Sequence, residues 1–139
     1  MPTASQSLAQ YATLLRYDHI PTEVVERAKD CIIDTVAACV LGAHMPWTQI
    51  VIEYAKRNSA PGGSNVLGLD TKLRAPFACL CNGAAAHAFE LDALCEPSVG
   101  MHPSAALGVP GLAVAQGRKK SGRQLIEAFV AGFETLYRI

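Results

Sequence analysis

The chain carries no excess of charge: twelve Lys and Arg side chains balance twelve Asp and Glu. That balance removes the electrostatic basis for binding nucleic acid or an anionic membrane surface, and neither partner is expected. Long apolar runs are missing too. The longest, "AALGVPGLAVA" from Ala105 to Ala115, falls far short of the ~20 residues that span a bilayer. The N-terminal "MPTASQSLAQYATLL" lacks the basic flank and unbroken apolar core of a secretory signal. Cysteine is present, but not as a framework. Five residues, Cys31, Cys39, Cys79, Cys81 and Cys95, are an odd number without disulfide-module spacing. Cys79 and Cys81 stand too close for the usual zinc knuckle, and no second pair follows. All five read as reduced, mostly buried thiols, and the location they suggest is cytoplasmic. The single basic cluster, "GRKKSGR" at 117–123, reads as a solvated loop between helices.

What is present is apolar: half of the 139 residues are hydrophobic and only 17% are charged. The periodicity is helical almost throughout. Leu8, Tyr11, Ala12 and Leu15 recur at helical spacing behind Thr3 or Ser5. "DHIP" interrupts, and Pro21 suits the first turn of a second helix, whose face holds Val25, Ala28, Ile32, Thr35, Val36 and Cys39. Its second half is apolar nearly all round, which predicts a central position in the core, a buried capping role for Asp34, and a stop at Gly42. A third helix runs from Pro46 to about Arg57, and "NSAPGGSN" reads as a loop. "NVLGL" and "KLRA" offer at most one short hairpin near 65–75. Pro76 opens a helix through "FACLCNGAAAHAFEL", whose small residues, Gly83 to Ala86, allow close approach of a neighbour. Pro103 starts another helix, which Pro110 should kink. Ser121 and Gln124 form a capping box for the last, which carries Leu125, Phe129, Gly132, Phe133 and Leu136. The fold class is all-α. The chain stops at "ETLYRI" in register with a core face and without a breaker, as expected of one part of a longer protein.

The chemistry concentrates in "NGAAAHAFELDALCEPSVGMHPSAA", Asn82 to Ala106. A helix continued to Leu91 would put His87 and Glu90 on one face at i and i+3, with Asp92 where it frays. His102 then precedes the Pro103 helix, whose first N–H groups, together with Ser104, make an anion site. Acids at a helix C-terminus oppose its dipole, so their placement asks for another reason. Carboxylates facing an imidazole beside an anion site suit proton abstraction next to a carboxylate group. No spacing among His87, Glu90, Asp92 and His102 matches a zinc or di-iron pattern, so no metal is expected.

Four stretches in order, "AKDCIIDTVAACVLGA", "NGAAAHAFELD", "GMHPSAALGVPGLAVAQ" and "SGRQLIEAFVAGFE", resemble the helical half of the MmgE/PrpD family of 2-methylcitrate dehydratases and cis-aconitate decarboxylases. The resemblance implies the N-terminal part of a mostly helical domain, with a smaller lid domain outside residues 1–139. It implies a cofactor-independent lyase or isomerase acting on a small di- or tricarboxylate, working as a homodimer when complete. Carried onto this chain, Asp92, His102 and Glu90 become the catalytic candidates, and Ser104 and His87 the substrate-binding ones. Further basic residues and a histidine of the site should lie beyond Ile139, leaving this part inactive alone. The family often has an aspartate and a threonine after the position of Asp92, where this chain has Ala93 and Leu94. That departure speaks against a decarboxylating member and favours a diverged subgroup; the activity expected is 2-methylcitrate dehydratase-like. The competing reading is a non-enzymatic helical module docking a partner through an exposed face of Leu125, Phe129, Phe133 and Leu136.

Overall fold

The computed structural model describes residues 2–96 and 100–138. Helices α1 (Ala4–Leu14), α2 (Thr22–Gly42) and α3 (Pro46–Asn58) precede a two-stranded antiparallel hairpin, β1 (Pro61–Asn65) and β2 (Lys72–Leu73). Helices α4 (Ala75–Ala86), α5 (Pro103–Gly117) and α6 (Gly122–Tyr137) follow. The architecture is therefore mostly α, as the periodicity predicts. No single helix among the described residues is long and apolar enough to cross a membrane.

Local signals set most boundaries. Thr3 with Gln6 and Ser121 with Gln124 both form reciprocal capping boxes, satisfying two otherwise free N–H groups at the start of α1 and α6. Pro46 and Pro103 sit in the first turns of α3 and α5, where their missing donor costs nothing. Pro110 lies inside α5 without ending it.

The apolar side chains gather in three connected clusters. Val25, Ala28 and Ile32 of α2 meet Ile126, Phe129 and Val130 of α6. Ile52 and Ala55 of α3 meet Val66, Leu73, Ala78, Cys81 and Ala113 beneath the hairpin. Between these lies a small cluster of Cys39, Ala85, Ala86 and Val109, where α2, α4 and α5 meet. Phe129 is thus core, only 4% exposed, and Leu125 and Phe133 pack against the same cluster. The face expected to dock a partner is largely spent on α2.

Several other expectations are corrected. Asp34 is exposed and caps none of the described residues. Its neighbours Ile33, Val40 and Leu41 are exposed as well, so the second half of α2 is core on one side only. An all-round apolar helix needs neighbours on all sides, and in this chain α4, α5 and α6 cover one. Gly42 does end α2, but without the left-handed conformation typical of a glycine stop; among the described glycines that conformation belongs to Gly68 and Gly100.

The first strand lies within "PGGSN", in the stretch expected to be loop. Its cause is tertiary. The Ser64 hydroxyl donates to the Ala113 carbonyl at 2.6 Å, and Asn65 N–H donates to Gln116 Oε1 at 2.8 Å, seating the strand on α5. Buried Asn82 of α4 holds the residues that follow, accepting from Leu67 N–H and donating to the Asn65 carbonyl, each at 2.9 Å. Strand propensity plays no part, so pattern reading had nothing to detect.

Candidate active site

Helix α4 stops at Ala86, five residues earlier than its apolar pattern suggests, and His87 is its C-cap. A tight turn follows: His87 N–H bonds the Gly83 carbonyl, Ala88 N–H that of Ala85, and Glu90 N–H that of His87. Glu90 adopts φ of 51°, a left-handed conformation that a continuing helix excludes. The turn delivers Asp92 back beneath His87.

Asp92 is the centre of the site. Its side chain is only 2% exposed, and it lies between two imidazoles. His87 Nδ1 is 3.1 Å from Asp92 Oδ1. His102 Nδ1 is 3.2 Å from Asp92 Oδ2 and 3.0 Å from the Asp92 backbone carbonyl. The two rings meet edge to face, with centroids 5.1 Å apart. A carboxylate and a carbonyl only accept, so both histidines carry their proton on Nδ1. A ring that donates from Nδ1 in its neutral form has Nε2 as its basic nitrogen, which is the tautomer control a buried carboxylate exerts in general acid–base sites. His102, with 22% of its side chain exposed against 53% for His87, is the better shielded of the two bases.

His102 is also the N-cap of α5, and its own side chain makes no capping bond to that end. The first N–H groups of α5 therefore have no intrahelical acceptor, and the positive end of the helix dipole lies beside His102. An anion is favoured there.

The structure thus brings together His87, Asp92 and His102. Glu90 stands at the edge: its carboxylate is 3.7 Å from His87 Nε2, but its side chain is 78% exposed, and among the described residues it forms no other ion pair. Ser104 is placed elsewhere. It is buried, and it lines a cleft of about 560 Å³ between α2, α6 and the 93–96 segment, together with Ala28, Cys31, Phe129 and Phe133. Asp92 and the two histidines are not on that cleft's wall.

The nitrogen and oxygen donors of the three clustered residues lie within 4.8 Å of one another. Each Asp92 oxygen already lies within hydrogen-bonding distance of an imidazole Nδ1, so a cation held through those two nitrogens would displace both of their protons. The donors fit a hydrogen-bonded acid–base cluster better than a coordination shell.

One neighbour escaped sequence reading. Cys39 is fully buried on α2 and donates from Sγ to the Asn82 carbonyl at 3.3 Å. Burial, with the Asp92 charge adding to it, pushes its thiol up to about 12. It is an inert wall behind the site. Fifty-three positions separate Cys39 from Asp92, and no local pattern links them.

Several known proteins are similar to this chain in sequence. The chain is 33% identical to the cis-aconitate decarboxylase of Aspergillus terreus, covering 97% of this chain and 28% of that protein. It is 31% identical to the human cis-aconitate decarboxylase, covering 100% of this chain and 30% of the other. The cis-aconitate decarboxylase-like protein oryM of Aspergillus oryzae is 30% identical over 95% of this chain and 29% of its own length. The chain thus spans about three tenths of the length of the curated relatives it matches. No solved structure gives a significant match. The sequence profile described as the MmgE/PrpD N-terminal domain matches residues 6–139, and the chain belongs to the MmgE/PrpD family.

Proposed function

We propose that the complete protein is a cofactor-independent lyase acting on a small tricarboxylate, moving a proton at a carbon next to a carboxylate. The observation that carries this reading is the Asp92 carboxylate, buried and bonded to Nδ1 of both His87 and His102. It leaves two imidazole Nε2 atoms as bases beside a helix N-terminus that the His102 side chain does not cap. In this reading the α5 N-terminus receives a substrate carboxylate, and His102 Nε2 takes or returns the proton. Asp92 stabilises the imidazolium while it exists. Glu90 acts through His87. The similarity to cis-aconitate decarboxylases supports a tricarboxylate as the substrate class. A homodimer in the cytoplasm completes the reading. The exposed rows Ile33, Val40 and Leu41 on α2 and Trp47, Ile50 and Tyr54 on α3 offer apolar surface for such an assembly, and the five unpaired thiols suit a reducing compartment.

The test is turnover by the complete protein with cis-aconitate and with citrate-type acids, scoring carbon dioxide release and water loss separately. Carbon dioxide release assigns decarboxylation, and water loss assigns dehydration. The expected result is one of these reactions, lost by at least ~10²-fold in His102→Ala with the fold intact. Absence of both reactions on every tricarboxylate, or full turnover by His102→Ala, refutes the reading.

A further inference from the structure

Gly42 ends α2 although nothing in its backbone conformation calls for glycine. What calls for it is the last turn of α4. A Cβ at position 42 would collide with the Ala85 carbonyl oxygen, reach 2.8 Å from the carbonyl carbon, and reach 2.9 Å from the Ala88 Cβ. The first two obstacles are backbone and cannot rotate away. Gly83, the glycine on α4 itself, meets nothing within 4 Å at the same test, so the close approach belongs to Gly42.

The Ala85 carbonyl is the acceptor that closes the turn out of α4. It receives Ala88 N–H at 3.1 Å, and between these two residues stands His87, whose Nδ1 bonds Asp92 at 3.1 Å. Ala85 and Ala86 are packed into the Cys39–Val109 cluster, so the end of α4 has little room to retreat. We infer that Gly42 is a positioning residue for His87: the bare α2 backbone at this point sets where α4 ends, and hence whether the His87 imidazole reaches Asp92. A methyl group at 42 displaces the Ala85–Ala88 turn and withdraws His87 from Asp92. His102 keeps its own bonds to the Asp92 carboxylate and backbone, since these come from α5.

This inference concerns geometry within the site and does not require the proposed reaction. The primary readout is therefore the nitrogen-15 NMR signature of the histidine rings in the complete protein. In the unaltered protein, both rings show Nδ1 protonated and hydrogen-bonded. Gly42→Ala is expected to abolish that signature for His87 and leave it in place for His102. The control is Gly132→Ala, whose Cβ meets the flexible end of Leu107 at 2.9 Å and should alter neither ring. Should Gly42→Ala fail to fold, Ala88→Val presses on the same contact from the α4 side with α2 untouched, and the same selective loss is expected. A folded variant of either kind that retains the His87 signature overturns the inference. Where turnover is measurable, Gly42→Ala should lower kcat about tenfold with KM within twofold, because misplacing a catalytic group by about 1 Å weakens chemistry more than binding.

Discussion

His102 Nδ1 is held by two oxygens of one residue: the Asp92 backbone carbonyl at 3.0 Å and the Asp92 Oδ2 at 3.2 Å. The backbone oxygen can orient the ring, but only the carboxylate can stabilise it once it becomes an imidazolium. These two contributions are separable by mutation.

Asp92→Asn keeps the size of the side chain and its backbone carbonyl while removing the charge. The carboxamide retains one acceptor oxygen and turns an NH2 group towards one of the two imidazoles, which must then change tautomer or lose its bond. Turnover by the complete protein is expected to fall ~10²- to 10⁴-fold, the range of a lost acid–base contribution. The melting temperature should stay within a few degrees of the unaltered protein. Kinetics and thermal unfolding on the same sample check this, and a kcat within threefold of normal would show that Asp92 is only structural.

How much of this was legible follows from how local each cause is. The capping boxes at Thr3 and Ser121 each close within four residues; residue type alone identifies the one at Ser121, and at the first helix it leaves Thr3 and Ser5 as alternatives. The acid–imidazole cluster was readable as a set of residues, because Asp92 and His102 are only ten positions apart, but its geometry was not. Helix α4 stops short, and the turn that follows gives Asp92 a part-buried bond to His87 that a helix through Leu91 would forfeit; the alanine-rich pattern carries no trace of that exchange. Ser104 read as part of the site through its place in the first turn of α5, yet one turn of helix presents its residues in different directions, and Ser104 faces the cleft. The strand at Pro61–Asn65 and the exposure of Asp34 depend on α5 and on how few helices surround α2. Such non-local causes leave no periodicity to read.

Asn82 carries the next prediction. Its carboxamide bridges the backbone of Asn65 and Leu67, so Asn82→Ala strands one acceptor and one donor where water has poor access. Each stranded group costs about 1–3 kcal/mol, and the variant is expected to lose about 2–4 kcal/mol in urea unfolding. The loss should come with loosening of the hairpin, seen as faster amide exchange at Leu67. A loss under about 0.5 kcal/mol would mean that the hairpin is held by Ser64 and Gln116 alone.

The buried thiols predict how stability depends on alkaline pH. Cys39 is pushed from 9.0 up to about 12, first by burial and then by the Asp92 charge. Cys79 and Cys81 are raised as well, each chiefly by burial. In the unfolded chain these thiols lose their protons near 9.0, whereas the folded chain retains them. The unfolded state therefore binds fewer protons than the native state above that pH, and stability falls as pH rises. The contribution from Cys39 is intact below about pH 9 and declines towards about 12. Lysines and tyrosines titrate in the same window, so the informative quantity is the difference between the protein and its Cys39→Ala variant. The variant should be less stable at pH 7, having lost the Sγ contact to the Asn82 carbonyl and some core volume. It should also lose stability less steeply between pH 9 and 10.5, so the two curves converge. Urea midpoints at pH 7, 9, 10 and 10.5 measure this directly. Parallel curves would mean that Cys39 ionises as readily in the folded protein as in the unfolded one, which would place water, rather than packed α2 and α4, behind Asp92.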